Sequence, residues 1–272
     1  MSGRLLRLLE LTDLGDDSFE AMTPDDGFER LFGGQVASQT LRAATLTVDA
    51  GRPPHSLHAY FIRPGRPGIP LRLDVERTRD GRSFATRHVT ASQAGEPIFN
   101  LSASFHAPEP GDDWQLPAPA ELSDPDAVVP ADSPMAAFST MSPFEIRALR
   151  APGPDDFPII HPFWVKTKAA LPDDPALHAC VLAFMSDMGV VGSARSPVST
   201  LPHRFMGASL DHAVWFHRPV RADDWLLFSV DPVTNYGARG LARGSLHDRN
   251  GVLVMSLMQE ALLRDTGRVP LP

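Results

Sequence analysis

The chain has 272 residues, of which 43% are hydrophobic, and its formal net charge at pH 7 is −8. This length predicts one large domain or two modest ones, and the acidic balance argues against nucleic acid as the main partner. The single cysteine, Cys180, excludes an internal disulfide and is typical of a reducing compartment, so a cytoplasmic location is expected. No apolar run approaches the ~18 residues of a spanning helix, and no membrane partner is expected.

The first half of the chain predicts a helix followed by an antiparallel meander. A leucine-rich face in residues 5–11 predicts a short amphipathic helix, and residues 18–22 predict a first edge strand. An apolar stripe predicts a helix over 32–48, which Gly33-Gly34 allows the backbone to enter tightly. The strands predicted after it are 56–63, 69–79, 83–93 and 97–106, with hairpin turns at Asp80-Gly81 and Ala94-Gly95.

A segment rich in proline, aspartate and alanine follows, at residues 108–135. Proline fixes φ and removes a backbone donor, so this segment is predicted to be a linker without helix or strand. It divides the chain into an N-terminal half (1–107) and a C-terminal half (136–272).

The second half predicts the same plan. Strands are expected at 144–150 and 162–171, and a central helix at 175–188 begins with a proline near its first position. An irregular crossing is expected at 189–207. The meander then returns as strands 208–217, 224–233, 238–247 and 252–263, with turns at Asn235-Tyr236-Gly237 and Asn250-Gly251.

The two halves also repeat in sequence. Phe61-Ile62-Arg63-Pro64 recurs as Phe216-His217-Arg218-Pro219, an offset of 155 residues, and the turn glycine Gly95 recurs as Gly251, an offset of 156. Such shared spacing indicates a duplication, and its period is too long for a solenoid. One long helix wrapped by an antiparallel sheet, occurring twice, predicts an α+β fold of the double hot-dog type, with a site at the junction of the halves.

Five stretches of the chain carry a family resemblance. They are FGGQVASQ (32–39), HSLHAYFIRPG (55–65), RTRDGRSFATRHVTASQAGEPIF (77–99), SLDHAVWFHRP (209–219) and VMSLMQEALLR (254–264). With these motifs in this order, the sequence resembles the acyl-CoA thioesterase II (TesB-like) family of double hot-dog enzymes over about residues 5–264. No correspondence is drawn within the linker.

The resemblance implies hydrolysis of fatty acyl-CoA thioesters without a covalent intermediate, cofactor or metal. In this family an aspartate, a serine or threonine, and a glutamine hold the attacking water. These positions fall on Asp187, Ser209 and Gln259. The family also implies a homo-oligomer, because hot-dog sheets continue across subunit interfaces.

The chemistry of these residues agrees with the resemblance. Asp187 can act as a base, since burial and the C-terminal end of its predicted helix would both raise its pKa. Ser209 can accept and donate a hydrogen bond, and Gln259 can bind the water through its carbonyl and donate from its amide. On an alternating strand, Gln259 shares a buried face with Leu253, Met255 and Leu257 and therefore needs a partner there.

Other constellations give weaker signals. His212 and His217 are five residues apart and would face opposite sides of a strand, so they do not predict a metal site. Gly33-Gly34 before a helix could cradle a phosphate, but a lone glycine pair is a weak signal. Gly33, Gly34 and Gln35 are therefore interpreted as a tight strand-to-helix entry rather than as catalytic groups. Asp211-His212 resembles a base dyad, but neighbouring strand residues point apart, which favours a supporting role.

Two other functions compete with the thioesterase. Hydratases of the hot-dog fold carry an Asp-x4-His pair after the central helix, whereas here the fifth residue after Asp187 is Gly192, which disfavours a hydratase. A non-catalytic acyl-thioester-binding protein stays open as the alternative.

Overall fold

The computed structural model describes residues 3–25, 27–119, 124–128, 142–150, 159–199 and 205–265. Parts of the predicted linker (120–123 and 129–135), the start of the predicted C-terminal half (136–141), residues 200–204 of the predicted crossing, and the C-terminal residues 266–272 lie outside these ranges. None of the helices within the described ranges is long and apolar enough to cross a membrane.

The first half contains two helices, α1 (Gly3–Leu9) and α2 (Gly33–Leu46). Its strands are β1 (Thr12–Gly15), β2 (Ser18–Ala21), β3 (Pro54–Phe61), β4 (Leu71–Asp80), β5 (Phe84–Gln93) and β6 (Glu96–His106). The predicted amphipathic helix is confirmed, since Leu5, Leu8 and Leu9 of α1 are buried.

The second half contains helices α3 (Pro175–Met185) and α4 (Val190–Ser193). Its strands are β7 (Phe144–Ala148), β8 (Phe163–Thr167), β9 (Phe205–Ser209), β10 (Asp211–Phe216), β11 (Leu226–Tyr236), β12 (Arg239–Asp248) and β13 (Leu253–Asp265). Within its described part, the predicted linker contains one 3₁₀ turn, Pro125–Ala127, and neither an α-helix nor a strand.

Within the described ranges, all thirteen strands belong to one large antiparallel sheet, so the fold combines α and β elements as expected. Its order is β1-β2-β4-β5-β6-β3-β10-β13-β12-β11-β8-β7, and β9 pairs with β13 beside β10. The two halves meet where β3 pairs with β10.

The β3–β10 pair has a symmetric register. His58 lies opposite Ala213, the residue 155 positions later. On either side of this pair, Leu57 lies opposite Val214 and Ala59 lies opposite His212, and the same offset of 155 converts one of these pairs into the other. A local two-fold axis therefore passes between His58 and Ala213. This axis relates β3 to β10 and β6 to β13, in agreement with the offset found in the sequence.

The central helices α2 and α3 pack directly against each other. Asp174 caps α3 by accepting a 2.9 Å hydrogen bond from the Ala176 N–H, and Pro175 occupies the first turn, where its absent N–H costs nothing. The helices approach so closely that a Cβ on Gly34 would collide with the carbonyl oxygen of Phe184. Glycine at position 34 therefore sets the distance between the two halves.

Two predictions at the sheet margins are wrong. Strand β2 is not the edge, because β1 pairs outside it; the TDLG segment of β1 is short and fully exposed, so it lacks the alternation that identifies a strand. The turn after β11 is formed by Gly237 and Ala238, with φ of 58° and 59°, because Asn235 and Tyr236 still pair with β12.

Three predictions around residues 186–217 also differ from the structure. Helix α3 ends at Met185 rather than at residue 188, and the predicted crossing contains α4 and the start of β9. The strand predicted over 208–217 is interrupted at Leu210. There, the Leu210 N–H donates to the carbonyl of Glu260, while Oδ1 of Asp211 accepts from the Glu260 N–H at 2.7 Å. The Asp211 side chain thus takes the place of one ladder hydrogen bond.

Candidate active site

The turn after α3 carries Asp187 to the junction of the two halves. Ser186 keeps helical backbone geometry and its N–H still bonds to the Leu182 carbonyl, whereas Gly189 adopts a φ of 79° that only glycine reaches without strain. A Cβ at Gly189 would lie 2.6 Å from the Ile159 side chain, so the turn is tightly packed. Asp187 is consequently buried, with 7% of its surface exposed.

The structure brings together the three residues identified from the sequence. Ser209 Oγ donates to Oδ1 of Asp187 at 3.4 Å, and Gln259 Nε2 donates to Ser209 Oγ at 2.8 Å. The Gln259 side chain also favours the charged form of Asp187, whose pKa it lowers. A base, a hydroxyl and an amide therefore share one buried location.

A fourth contact comes from the first half. The backbone N–H of Gly34, in the first turn of α2, donates to Oδ2 of Asp187 at 2.9 Å. A Cβ on Gly33 would lie 2.6 Å from the same oxygen, so this approach requires glycine. The Gly33-Gly34 pair predicted a tight helix entry or a phosphate cradle and not a contact with Asp187. Adjacent glycines at a helix start were nevertheless the signal for this contact.

Burial determines the protonation of Asp187. Desolvation raises the pKa of its carboxyl to about 6, and the hydrogen bonds from Gln259, Gly34 and Ser209 oppose this rise. The C-terminal end of α3 was expected to raise this pKa further, but the carboxylate also faces the positive N-terminal end of α2, which lowers it. A pKa near neutrality suits a general base.

Strand geometry places the other two members. Ser209 ends β9 and lies opposite Ala261 of β13, immediately before the interruption at Leu210. Gln259 is fully buried on β13, on the same face as Met255 and Leu257, which confirms the predicted alternation from Met255 onward. Leu253 is only half-buried and Val254 is buried instead, because the β12–β13 register shifts at this point. The interruption lets Ser209 and Gln259 meet across the two strands.

His212 lies beside this cluster. Its Nε2 is 2.7 Å from Ser186 Oγ, and burial lowers its pKa to about 4, so the ring is neutral at physiological pH. Gln259 opposes this pKa shift. Neither His212 Nδ1 nor Gln259 Oε1 has a well-aligned hydrogen-bond partner within the described residues. The histidine therefore adjoins the amide without contacting the Asp187 carboxylate.

Aromatic side chains pack around the first turn of α2. The ring of Phe61 lies against Gly33, and the rings of Phe32 and Phe184 pack with centroids 5.0 Å apart. Oδ2 of Asp187 also lies against Gly33, so an apolar ring adjoins the carboxylate.

The described part of the chain contains no group of three His, Cys, Asp or Glu side chains placed to hold a metal ion. His212 contacts Ser186, whereas His217 Nε2 lies 2.8 Å from Ser256 Oγ. The two histidines thus have separate partners.

Comparisons with known proteins show which family the chain resembles. The family model for acyl-CoA thioesterase matches residues 157–262, and that for the acyl-CoA thioesterase N-terminal domain matches residues 23–106. Acyl-CoA thioesterase 2 from Haemophilus influenzae is 33% identical over 96% of this chain and 96% of its own length. The crystal structure of the acyl-CoA thioesterase II TesB2 from Mycobacterium marinum superimposes with a TM-score of 0.81 and 38% identity, covering 96% of this chain and 98% of that one. A protein with a hot-dog fold from Alicyclobacillus acidocaldarius superimposes with a TM-score of 0.76 at 17% identity, covering 98% of each chain.

Proposed function

Since the chain belongs to the acyl-CoA thioesterase II family and is an acyl-CoA thioester hydrolase, we propose that Asp187, Ser209 and Gln259 activate the water that cleaves its substrate. The observation that supports this most is the meeting of a carboxylate of pKa about 6 with a hydroxyl and an amide in one largely buried location.

The reaction then follows from the geometry. Asp187 takes a proton from the water as the water oxygen bonds to the thioester carbon, and a tetrahedral oxyanion forms. Ser209 and Gln259 hold the water, while the positive end of α2 stabilises the developing charge. The oxyanion collapses, the carbon–sulfur bond breaks, and the proton on Asp187 passes to the leaving thiolate. The products are a fatty acid and CoA, and no covalent enzyme intermediate or cofactor is needed.

We also propose that the fold is a double hot-dog, with halves at 1–107 and 136–272 joined by the linker at 108–135. Support comes from the two-fold register of β3 and β10, from the mirrored strand order, and from one long helix in each half. The Gly34 N–H belongs to the first half and the Asp187 carboxylate that it contacts belongs to the second. The site therefore depends on both halves.

We further propose that the enzyme is a cytoplasmic homo-oligomer. The one cysteine, Cys180, is buried, and burial raises the pKa of its thiol to about 12, so a reduced, unreactive thiol in the cytoplasm fits the chain. A homo-oligomer acting on acyl-CoA without a nucleic-acid or membrane partner is consistent with the family.

The direct test is release of free CoA thiol from a series of acyl-CoA esters of increasing chain length. We expect turnover in the wild type and its loss in Asp187→Asn, with Asp49→Asn as the matched control, because the Asp49 side chain is 83% exposed. Binding of acyl-CoA without turnover at any chain length would instead establish a non-catalytic binding protein.

A further inference from the structure

The internal two-fold axis generates a second copy of the catalytic location. The catalytic trio lies at the N-terminus of α2, so its counterpart lies at the N-terminus of α3 and the start of β3. A cavity of about 750 Å³ occupies this place, lined by Pro53–His55 of the β3 region and by Pro175, His178 and Leu182 of α3. Its volume falls in the range of about 300–1,000 Å³ that is typical of small-molecule sites.

The catalytic groups are replaced in this second location. Pro54 pairs with Phe105 as Ser209 pairs with Ala261, so Pro54 occupies the position of the serine. The pair His58–Ser102 in the first half corresponds to the pair Ala213–Met258 in the second. Ala103 follows Ser102 and Gln259 follows Met258, so Ala103 occupies the position of the glutamine.

The aspartate is also replaced. The first acidic residue after α2 is Asp49, whose side chain is 83% exposed and lies beside Arg52. The second location therefore keeps a cavity without counterparts of the aspartate, serine and glutamine of the catalytic trio.

His178 gives this cavity a binding group. It is 3% exposed, and its Nδ1 accepts a 3.1 Å hydrogen bond from the Ala222 N–H, which places the proton on Nε2. Nε2 has no partner within the described residues, and burial lowers the pKa of the ring. A neutral N–H donor in the cavity wall thus calls for a ligand with a hydrogen-bond acceptor.

The remaining lining favours an acyl thioester. Leu182, Trp225 and Leu226 provide apolar surface for an acyl chain. The cavity is also lined by Arg218 and Arg249, whose carboxylate partners are 78% and 58% exposed. Exposed ion pairs of this kind are weak, so these two guanidinium groups can exchange their partners for phosphates. Arg221 also lines the cavity, but it is held in a two-bond pair by Asp223, whose side chain is 11% exposed.

We propose that this cavity binds a second molecule of acyl-CoA, with its carbonyl on His178 Nε2, and does not hydrolyse it. This inference rests on the proposed function for the identity of the ligand. It predicts two acyl-CoA molecules for each chain, one at the catalytic trio and one at His178.

The test uses calorimetric titration of the intact protein with a ketone analogue of acyl-CoA, in which a methylene between sulfur and carbonyl prevents hydrolysis. We expect two binding events per chain in the wild type. In His178→Asn the amide oxygen can still accept from the Ala222 N–H, but the Nε2 donor is lost, and one event should weaken about tenfold. Ala179→Trp, which fills the cavity from α3, should leave a single event, and His88→Asn, outside the cavity, should leave both unchanged.

One event per chain that His178→Asn does not alter would overturn the second site. One event that His178→Asn weakens would retain the second site and instead refute binding at the catalytic trio. If Ala179→Trp does not fold, judged by its thermal melt, the comparison of His178→Asn with His88→Asn still decides the question.

Discussion

The backbone N–H of Gly34 donates a 2.9 Å hydrogen bond to Oδ2 of Asp187, a residue 153 positions later in the chain. The first half thus supplies a donor and a helix N-terminus to a carboxylate that belongs to the second half. This contact couples the packing of α2 against α3 to the chemistry of the site. Its geometry depends on two adjacent glycines, because a side chain at either position would meet the partner half.

Replacing Gly33 by alanine should therefore impair catalysis. The added Cβ would lie 2.6 Å from Oδ2 of Asp187 and 2.8 Å from the Phe61 ring, so the carboxylate must move. We expect kcat to fall by about 10- to 100-fold, since misplacing a reacting group by an ångström has effects of that size. Steady-state kinetics measures the change. Gly111→Ala is the control, because a Cβ there meets nothing within 4 Å, and equal effects of the two variants would refute this role for Gly33.

Much of the fold could be predicted because it depends on local patterns. The alternation in β13 identified the buried face of Gln259, and Ala94-Gly95 identified a tight turn, whose residues have φ of 50° and 81°. The interruption at Leu210 could not be predicted, because it arises when the Asp211 side chain replaces a ladder hydrogen bond to Glu260. Strand β1 was missed for a similar reason, since its exposed residues carry no hydrophobic pattern.

The candidate site was predictable only in part. Asp187, Ser209 and Gln259 followed from a family resemblance and were then found in contact. The contribution of Gly34 was not predicted, because it requires two helices from different halves to meet at one point. The local sequence around the Gly33-Gly34 pair indicates a close approach but does not identify what approaches.

Removing either water-holding group should cost less than removing the base. We expect Ser209→Ala and Gln259→Ala each to lower kcat by about 10- to 100-fold, the value of a hydrogen bond to a charged group. Their double variant should lose less than the sum of the two free-energy changes, because the residues act as a unit. Ser209→Thr should keep most of the activity, since the hydroxyl remains. Strict additivity of the two alanine variants would show that the side chains act independently.

The raised pKa of Asp187 also makes a prediction about stability. Its pKa of about 6 in the folded protein exceeds the ordinary value of 3.8, so folding favours the protonated form. The wild type therefore loses stability as pH rises through about 6, at most about 3 kcal/mol, and loses none below 3.8. Asp187→Asn resembles the protonated form, so at pH 8 it should be the more stable protein, with little difference at pH 4.

Chemical denaturation at pH 4 and pH 8 measures this difference. Asp49→Asn serves as the control, because its exposed side chain should give a difference that hardly depends on pH. If the Asp187→Asn protein is less stable than the wild type at pH 8, the prediction is wrong. The hydrogen bonds to the carboxylate would then offset the free-energy cost of burying its charge.

Hydrolysis should not depend on a metal ion. In the proposed mechanism Asp187 activates the water, so prolonged treatment with a strong chelator should leave kcat unchanged. Loss of turnover that one specific divalent ion restores would contradict this, and the same experiment with a zinc hydrolase serves as a positive control for the chelator.

The central claim is that Asp187 is the general base, and the pH dependence of kcat tests it most directly. For the wild type we predict an acidic limb with a midpoint near pH 6, since the base must be ionised and its pKa is about 6. Asp187→Asn should lower kcat by about 10²- to 10⁴-fold with a modest change in KM, and the acidic limb should disappear. An Asp187→Asn enzyme that keeps full kcat and an unchanged acidic limb would show that another group is the base.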